Sequence, residues 1–173
     1  MSVSLYSATV PLFLQILPQT AALIDKAEAH CAGKGLAPDE LLGARLAGDM
    51  WPLSGQFRAC WSHSIDAIDS ALTGERHPDF SELPDDFAFF RTRIADAIAR
   101  LEKVKPADVD AAEGRDVCFV VRDMRMEFTG LDYLLHFALP NFYFHSSMAY
   151  AILRNRGFEI GKRDYLGQLR LKG

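Results

Sequence analysis

The feature that most constrains this chain is its last apolar stretch, LDYLLHFALPNFYFHSSMAYAILRNRG, which runs from Leu131 to Gly157. As a helix rising 1.5 Å per residue it would make about seven turns. Apolar side chains point in nearly every direction around it, so other elements must cover it. Asp132, His136, Asn141 and His145 punctuate the stretch, and placing them in lipid would be costly. A central helix of a bundle is therefore preferred to a membrane span. Pro140 brings no amide hydrogen, so the carbonyl of His136, four residues earlier, loses its helical partner and a kink is expected there.

The rest of the chain supplies the covering elements. Val10, Phe13, Leu14, Ile16, Leu17, Leu23 and Ile24 predict a first helix that is clearest over 19–32. Gly33 and Gly35 close it, and Pro11 and Pro18 either start or bend it. Pro38-Asp39-Glu40 opens a short helical turn. Leu53, Phe57, Trp61, Ile65, Ile68 and Leu72 predict a second helix from Pro52 to Gly74. A third starts near Pro84 and places Phe87, Phe90, Ile94, Ala97, Ile98, Leu101 and Val104 on one face. The period then changes. Val117 to Val121 is β-branched and aromatic, and Met124 to Phe128 alternates, with Arg122-Asp123 as the turn of a small hairpin. Gly130 releases the chain into the fourth helix, which Gly157 ends. No repeat or linker divides the 173 residues, so a single domain over 1–173 is expected. The expected fold is all-α, a four-helix bundle with kinked helices and a β-hairpin before the last helix.

Composition narrows the function classes. With 19 basic and 23 acidic side chains the net charge is −4, which argues against partners such as nucleic acid or an anionic membrane. The nearest basic cluster, Arg154, Arg156, Lys162, Arg163, Arg170 and Lys172, is interrupted by Glu159 and Asp164 and reads as a solvated end. Cys31, Cys60 and Cys118 are odd in number and widely spaced, which fits reduced thiols in a cytoplasmic protein. The apolar N-terminal stretch has no basic residues before it and is broken by prolines, so it does not read as a signal peptide.

Chemistry-bearing residues are few. Asn141 and His145 lie four apart and share a helix face on which a ligand would sit. His136 and His145 are nine apart and point to opposite sides of a straight helix, so they do not form a metal pair. A buried histidine most often hydrogen-bonds to its protein neighbours, and that is the expected state of both. On the second helix Gln56, Cys60 and His63 follow an i, i+4, i+7 spacing. Gln56 and His63 lie off the centre of the apolar stripe, where they border a pocket or touch solvent; for His63 solvent is favoured. Cys60 reads as a small hydrophobe. No nucleophile elbow, phosphate loop or dinucleotide fingerprint is present.

The segments SLYSATVPLFLQIL, ARLAGDMWPLSGQ, DYLLHFALPNFYFHSSMAYAILRNRG and GKRDYLG together resemble the DUF1993 family over essentially the whole chain. That family is grouped with the DinB-like (YfiT-like) four-helix bundles. The resemblance implies a divalent-metal site (Zn, Ni or Mn) built from one histidine on helix two and two on helix four at i and i+4. Aligning Leu153-Arg154 and Gly157 with the helix-four pattern puts His145 on the second ligand and Asn141 where the first histidine would stand. Helix two offers Gln56 or His63. The triad is thus incomplete. The expected function is a degenerate metal-site bundle that binds a small molecule between its helices, through Asn141, His145, Gln56, Tyr143 and Tyr150, with Lys162, Arg163 and Asp164 at the mouth. The alternatives are a metal-dependent transferase or isomerase using His145 and His63, and a non-catalytic dimerising module. A homodimer is implied by the resemblance alone.

Overall fold

The computed structural model describes residues 3–169 together with 171 and 172; Arg170 of the basic cluster lies outside the described residues. Four helical walls form the bundle: α1 (Val10–Lys34), α3 with α4 (Leu53–Ser62 and Ile65–Thr73), α5 (Phe87–Leu101) and α8 (Leu139–Asn155). Shorter helices are α2 (Pro38–Leu42), α6 (Pro106–Ala111), α7 (Gly130–Asp132) and α9 (Lys162–Leu166). The walls close a ring, α1 against α5, α5 against α3, α3 against α8, and α8 back against α1. Phe13, Leu17, Ile24, Phe57, Phe90, Ile94, Leu101 and Phe142 fill it and are wholly buried. Each such side chain stabilises the fold by about 1.5–3 kcal/mol. No described helix is long and apolar enough to cross a membrane. All three cysteines are free, with Cys31 and Cys60 buried.

Several boundaries differ from the sequence expectation. The first helix is a single element that carries Pro11 in its first turn and Pro18 inside it. It runs through Gly33 and stops at Gly35, whose φ of 63° lets its N–H reach the Cys31 carbonyl. The third begins at Phe87, not near Pro84, because the Asp86 carboxylate accepts the Ala88 N–H at 2.9 Å and caps it there. The second helix is broken in two at His63 and Ser64. The Ser64 hydroxyl donates to the Cys60 carbonyl at 2.6 Å, and Ser64 adopts φ −116° and ψ −91°, off the helical path.

The expected hairpin is present as β2 (Asp116–Val121) and β3 (Met124–Thr129), with Val121 opposite Met124 across the Arg122-Asp123 turn. Arg122 takes φ 52°, the left-handed conformation that a two-residue turn without glycine forces on its first residue. A short strand, β1 (Glu75–Arg76), adds to β2 in parallel, with Arg76 opposite Phe119. Gly130 permits the return into the last helix: a Cβ there would lie 2.0 Å from the Ala112 carbonyl oxygen.

The last helix has a wide turn just before its proline. Tyr133–Ala138 is π-helical, and the Leu139 N–H reaches five residues back to the Leu134 carbonyl. The expected irregularity at Pro140 thus takes the form of an inserted residue. Coverage is less complete than the composition implied. His136, Pro140 and Phe144 form an exposed stripe, with Phe144 52% accessible.

Candidate functional site

His145 projects from α8 toward α3 and is 8% exposed. Its Nδ1 lies 2.8 Å from Gln56 Oε1. Gln56, 1% exposed, donates its amide nitrogen to the Trp51 carbonyl at 3.0 Å, which fixes the amide so that Oε1 faces the ring. His145 Nδ1 therefore carries the proton, and Nε2 holds a lone pair. The Trp51 indole lies nearly parallel to the His145 ring, with centroids 5.2 Å apart. The His63 ring does the same at 5.6 Å and an interplanar angle of 8°.

The helix break delivers His63 to this position. As the residue that ends α3, it packs edge-on against Phe137 of the π-helical turn. The expected solvent-facing histidine is instead part-buried against the bundle, because α3 stops at Ser62 and the chain turns inward. Arg76, placed by β1, donates to the Ser62 hydroxyl at 2.6 Å and to Asp66 at 3.1 Å, bringing a cation close to His63. Burial, then the neighbouring His145 and Arg76, drives the His63 pKa down to about 3. Burial alone takes His145 to about 4. Both imidazoles are neutral at physiological pH. Neither the ring nitrogens of His63 nor His145 Nε2 hydrogen-bonds to a described residue, and no fully buried side-chain nitrogen or oxygen lacks a partner among those residues. These nitrogens consequently reach solvent.

The other residues expected at the site divide between this face and the opposite one. Asn141 shares the His145 face, but its amide nitrogen is committed to the Phe137 carbonyl of its own helix at 2.7 Å. Tyr143 and Tyr150 lie about half a turn away, given 100° per residue. On that side Tyr165 of α9 is edge-on to Tyr150, and its hydroxyl sits 3.0 Å from Ser146 Oγ and 3.2 Å from Ser147 Oγ. Lys26 pairs with Asp164, and Gln15 donates to the Leu166 carbonyl, so the Lys162–Leu166 tail is docked on α1 and α8. His136 is exposed and 4.0 Å from Asp132, well away from His145.

Two further residues, Trp51 and Arg58, belong to the neighbourhood. Trp51, just before α3, is the wall of His145, and Arg58 on α3 faces a small cavity beside His63. That cavity holds about 60 Å³ between Trp51, Ser62, His63, Phe80, Phe119 and Arg58. Only the Trp–Pro start of α3 hinted at it in sequence.

The donor set does not suit a resident metal ion. Among the described residues no group of three His, Cys, Asp or Glu side chains converges. His145 and His63 are two imidazoles with no carboxylate or thiolate beside them, whereas catalytic zinc is held by three protein ligands. Gln56, at the helix-two position, spends its oxygen on His145 and its nitrogen on Trp51.

The ring of four helical walls with a hairpin before the last one is the DinB-like architecture. A solved structure, a DinB family member protein from Shewanella denitrificans, matches with a TM-score of 0.83 and 32% identity, covering 98% of this chain and 95% of that one. The family model described as "Domain of unknown function (DUF1993)" matches residues 5–166, and the chain belongs to that family. No curated protein matches.

Proposed function

We propose that this protein is a metal-independent small-molecule-binding bundle whose recognition group is the neutral His145–His63 pair. The observation that carries the reading is the Gln56–His145 hydrogen bond of 2.8 Å. It fixes one tautomer and leaves Nε2 as a solvent-reached acceptor beside aromatic walls. Such an imidazole can accept a proton or hydrogen bond from a bound ligand without carrying a charge of its own. Gln56 and Asn141, where the resemblance implies metal ligands, serve here as internal hydrogen-bonding groups.

Histidine ¹⁵N spectra test this directly. At pH 7 His145 should show a protonated Nδ1 and a bare Nε2, unchanged when one equivalent of Zn, Ni or Mn is added. Stoichiometric binding of any of these ions, with His145 and His63 resonances moving together, would sink the proposal and restore the metalloenzyme alternative.

A further inference from the structure

The cavity beside His63 has chemistry of its own. Its floor is the Ser62 and His63 end of α3, its sides are Trp51, Phe80 and Phe119, and Arg58 and Asp79 are its charged groups. Phe119 comes from β2 and Phe80 from the 77–86 connection, so the hairpin and a loop close a slot over α3. Arg58 gives one N–H to the Ser81 carbonyl at 2.6 Å. Its remaining donors meet no acceptor among the described residues. Partial burial pulls its pKa below the ordinary value while Asp79 pulls the other way, and the guanidinium stays charged.

We infer that this slot and its mouth bind a small planar aromatic monocarboxylate, with the carboxylate inside on the Arg58 fork. The ring lies across the exposed faces of Trp51 and Phe80 at the mouth, since about 60 Å³ is too little to enclose it. The inference rests on the metal-independent reading above and names the ligand class for the same neighbourhood. A guanidinium presents parallel N–H donors that match a carboxylate. Trp51 and Phe80 are 43% and 57% exposed, unusually bare for rings of that size, and a flat ligand would cover both. A phosphate dianion fits poorly. The slot has one cation, and Asp79, held at the rim by the Ser81 N–H at 2.8 Å, would repel the second charge. The ligand ring edge would approach His63, whose open nitrogens can bond to a hydroxyl on it.

Titration of the full chain with benzoate, followed by the Trp51 indole and His63 ring resonances, tests this. Saturable shifts with a millimolar or tighter Kd are expected. Arg58→Ala should weaken binding at least about tenfold, and Arg58→Lys, which keeps the charge but loses the fork, by several-fold. Benzylamine should not displace benzoate. If Arg58→Ala loosens the Ser81 loop, Arg58→Lys decides. Absence of saturable shifts, wild-type affinity in Arg58→Lys, or equal binding of benzylamine would overturn the assignment. The His145 tautomer is read in the same spectra. If its Nδ1–H signature is intact while benzoate fails, only the ligand class falls; if that signature is missing, the underlying reading falls.

Discussion

Two faces of α8 (Leu139–Asn155) carry polar side chains into the protein, and they are built differently. On one, His145 makes a single hydrogen bond to Gln56, lies beside Trp51 and His63, and keeps a lone pair unspent. On the other, Ser146 and Ser147 meet the Tyr165 hydroxyl, and the α9 tail is fastened by side chains from α1. The second face is a closed hydrogen-bonding network, suited to holding the chain end in place. The first has a spare acceptor that reaches solvent beside aromatic walls, which is what a binding group requires. Capacity for chemistry on this helix therefore follows what each side chain has left over, and not how polar the face is.

The largest effect should come from breaking the support of the first face. Gln56→Leu leaves the His145 Nδ1–H and the Trp51 carbonyl without their partner. Two groups left unsatisfied in the interior cost roughly 4 kcal/mol together. Urea denaturation checks the value, and a loss below about 1 kcal/mol would show that His145 is not held as described.

Acid should separate the faces next. His145 and His63 have folded pKa values below the unfolded 6.5, so the unfolded chain binds more protons between 6.5 and the folded values. Stability from these groups is complete above pH 6.5 and falls as pH drops, to about 4 for His145 and on to about 3 for His63. For His145 the full loss is roughly 3 kcal/mol. Denaturation midpoints across this range should slope steeply in the wild type and less so in His145→Phe. An unchanged slope in that variant would remove His145 from the account.

The smallest change should be Tyr165→Phe on the tail face. Losing a hydroxyl shared with two serines costs about 1 kcal/mol. It should leave both the acid slope and the His145 resonances as they are. A shift in His145 would mean that the two faces are coupled through α8.

The fold was largely legible from periodicity, because each of the four walls buries a stripe at helical spacing, and Gly35, Gly74 and Gly157 mark the ends of three of them. The hairpin was legible for the same reason, since a period of two cannot serve a helix. The strand β1 was not, because two residues have no period. The candidate site was half legible. His145 stood out as a polar group on an apolar helix, and Gln56 was in view as a residue bordering a pocket, but their hydrogen bond was not. His63, in contrast, depended on the break at Ser64, which a hydroxyl bond to the Cys60 carbonyl decides. Asn141 was placed on the His145 face by spacing, but the turn of its amide nitrogen back to the Phe137 carbonyl was not legible. His136 looked buried, yet the chain places it outside on the exposed stripe beside the wide turn.

By itself the sequence determined that four apolar stripes must close around one core, and that the last helix must be irregular near Pro140. Those outcomes depend on side-chain burial and on a missing amide hydrogen, which are local properties. Only the tertiary structure decided which polar groups meet. That depends on where helices break and which hydrogen bonds are already taken, and residues 56 and 145 become neighbours only after α3 packs on α8.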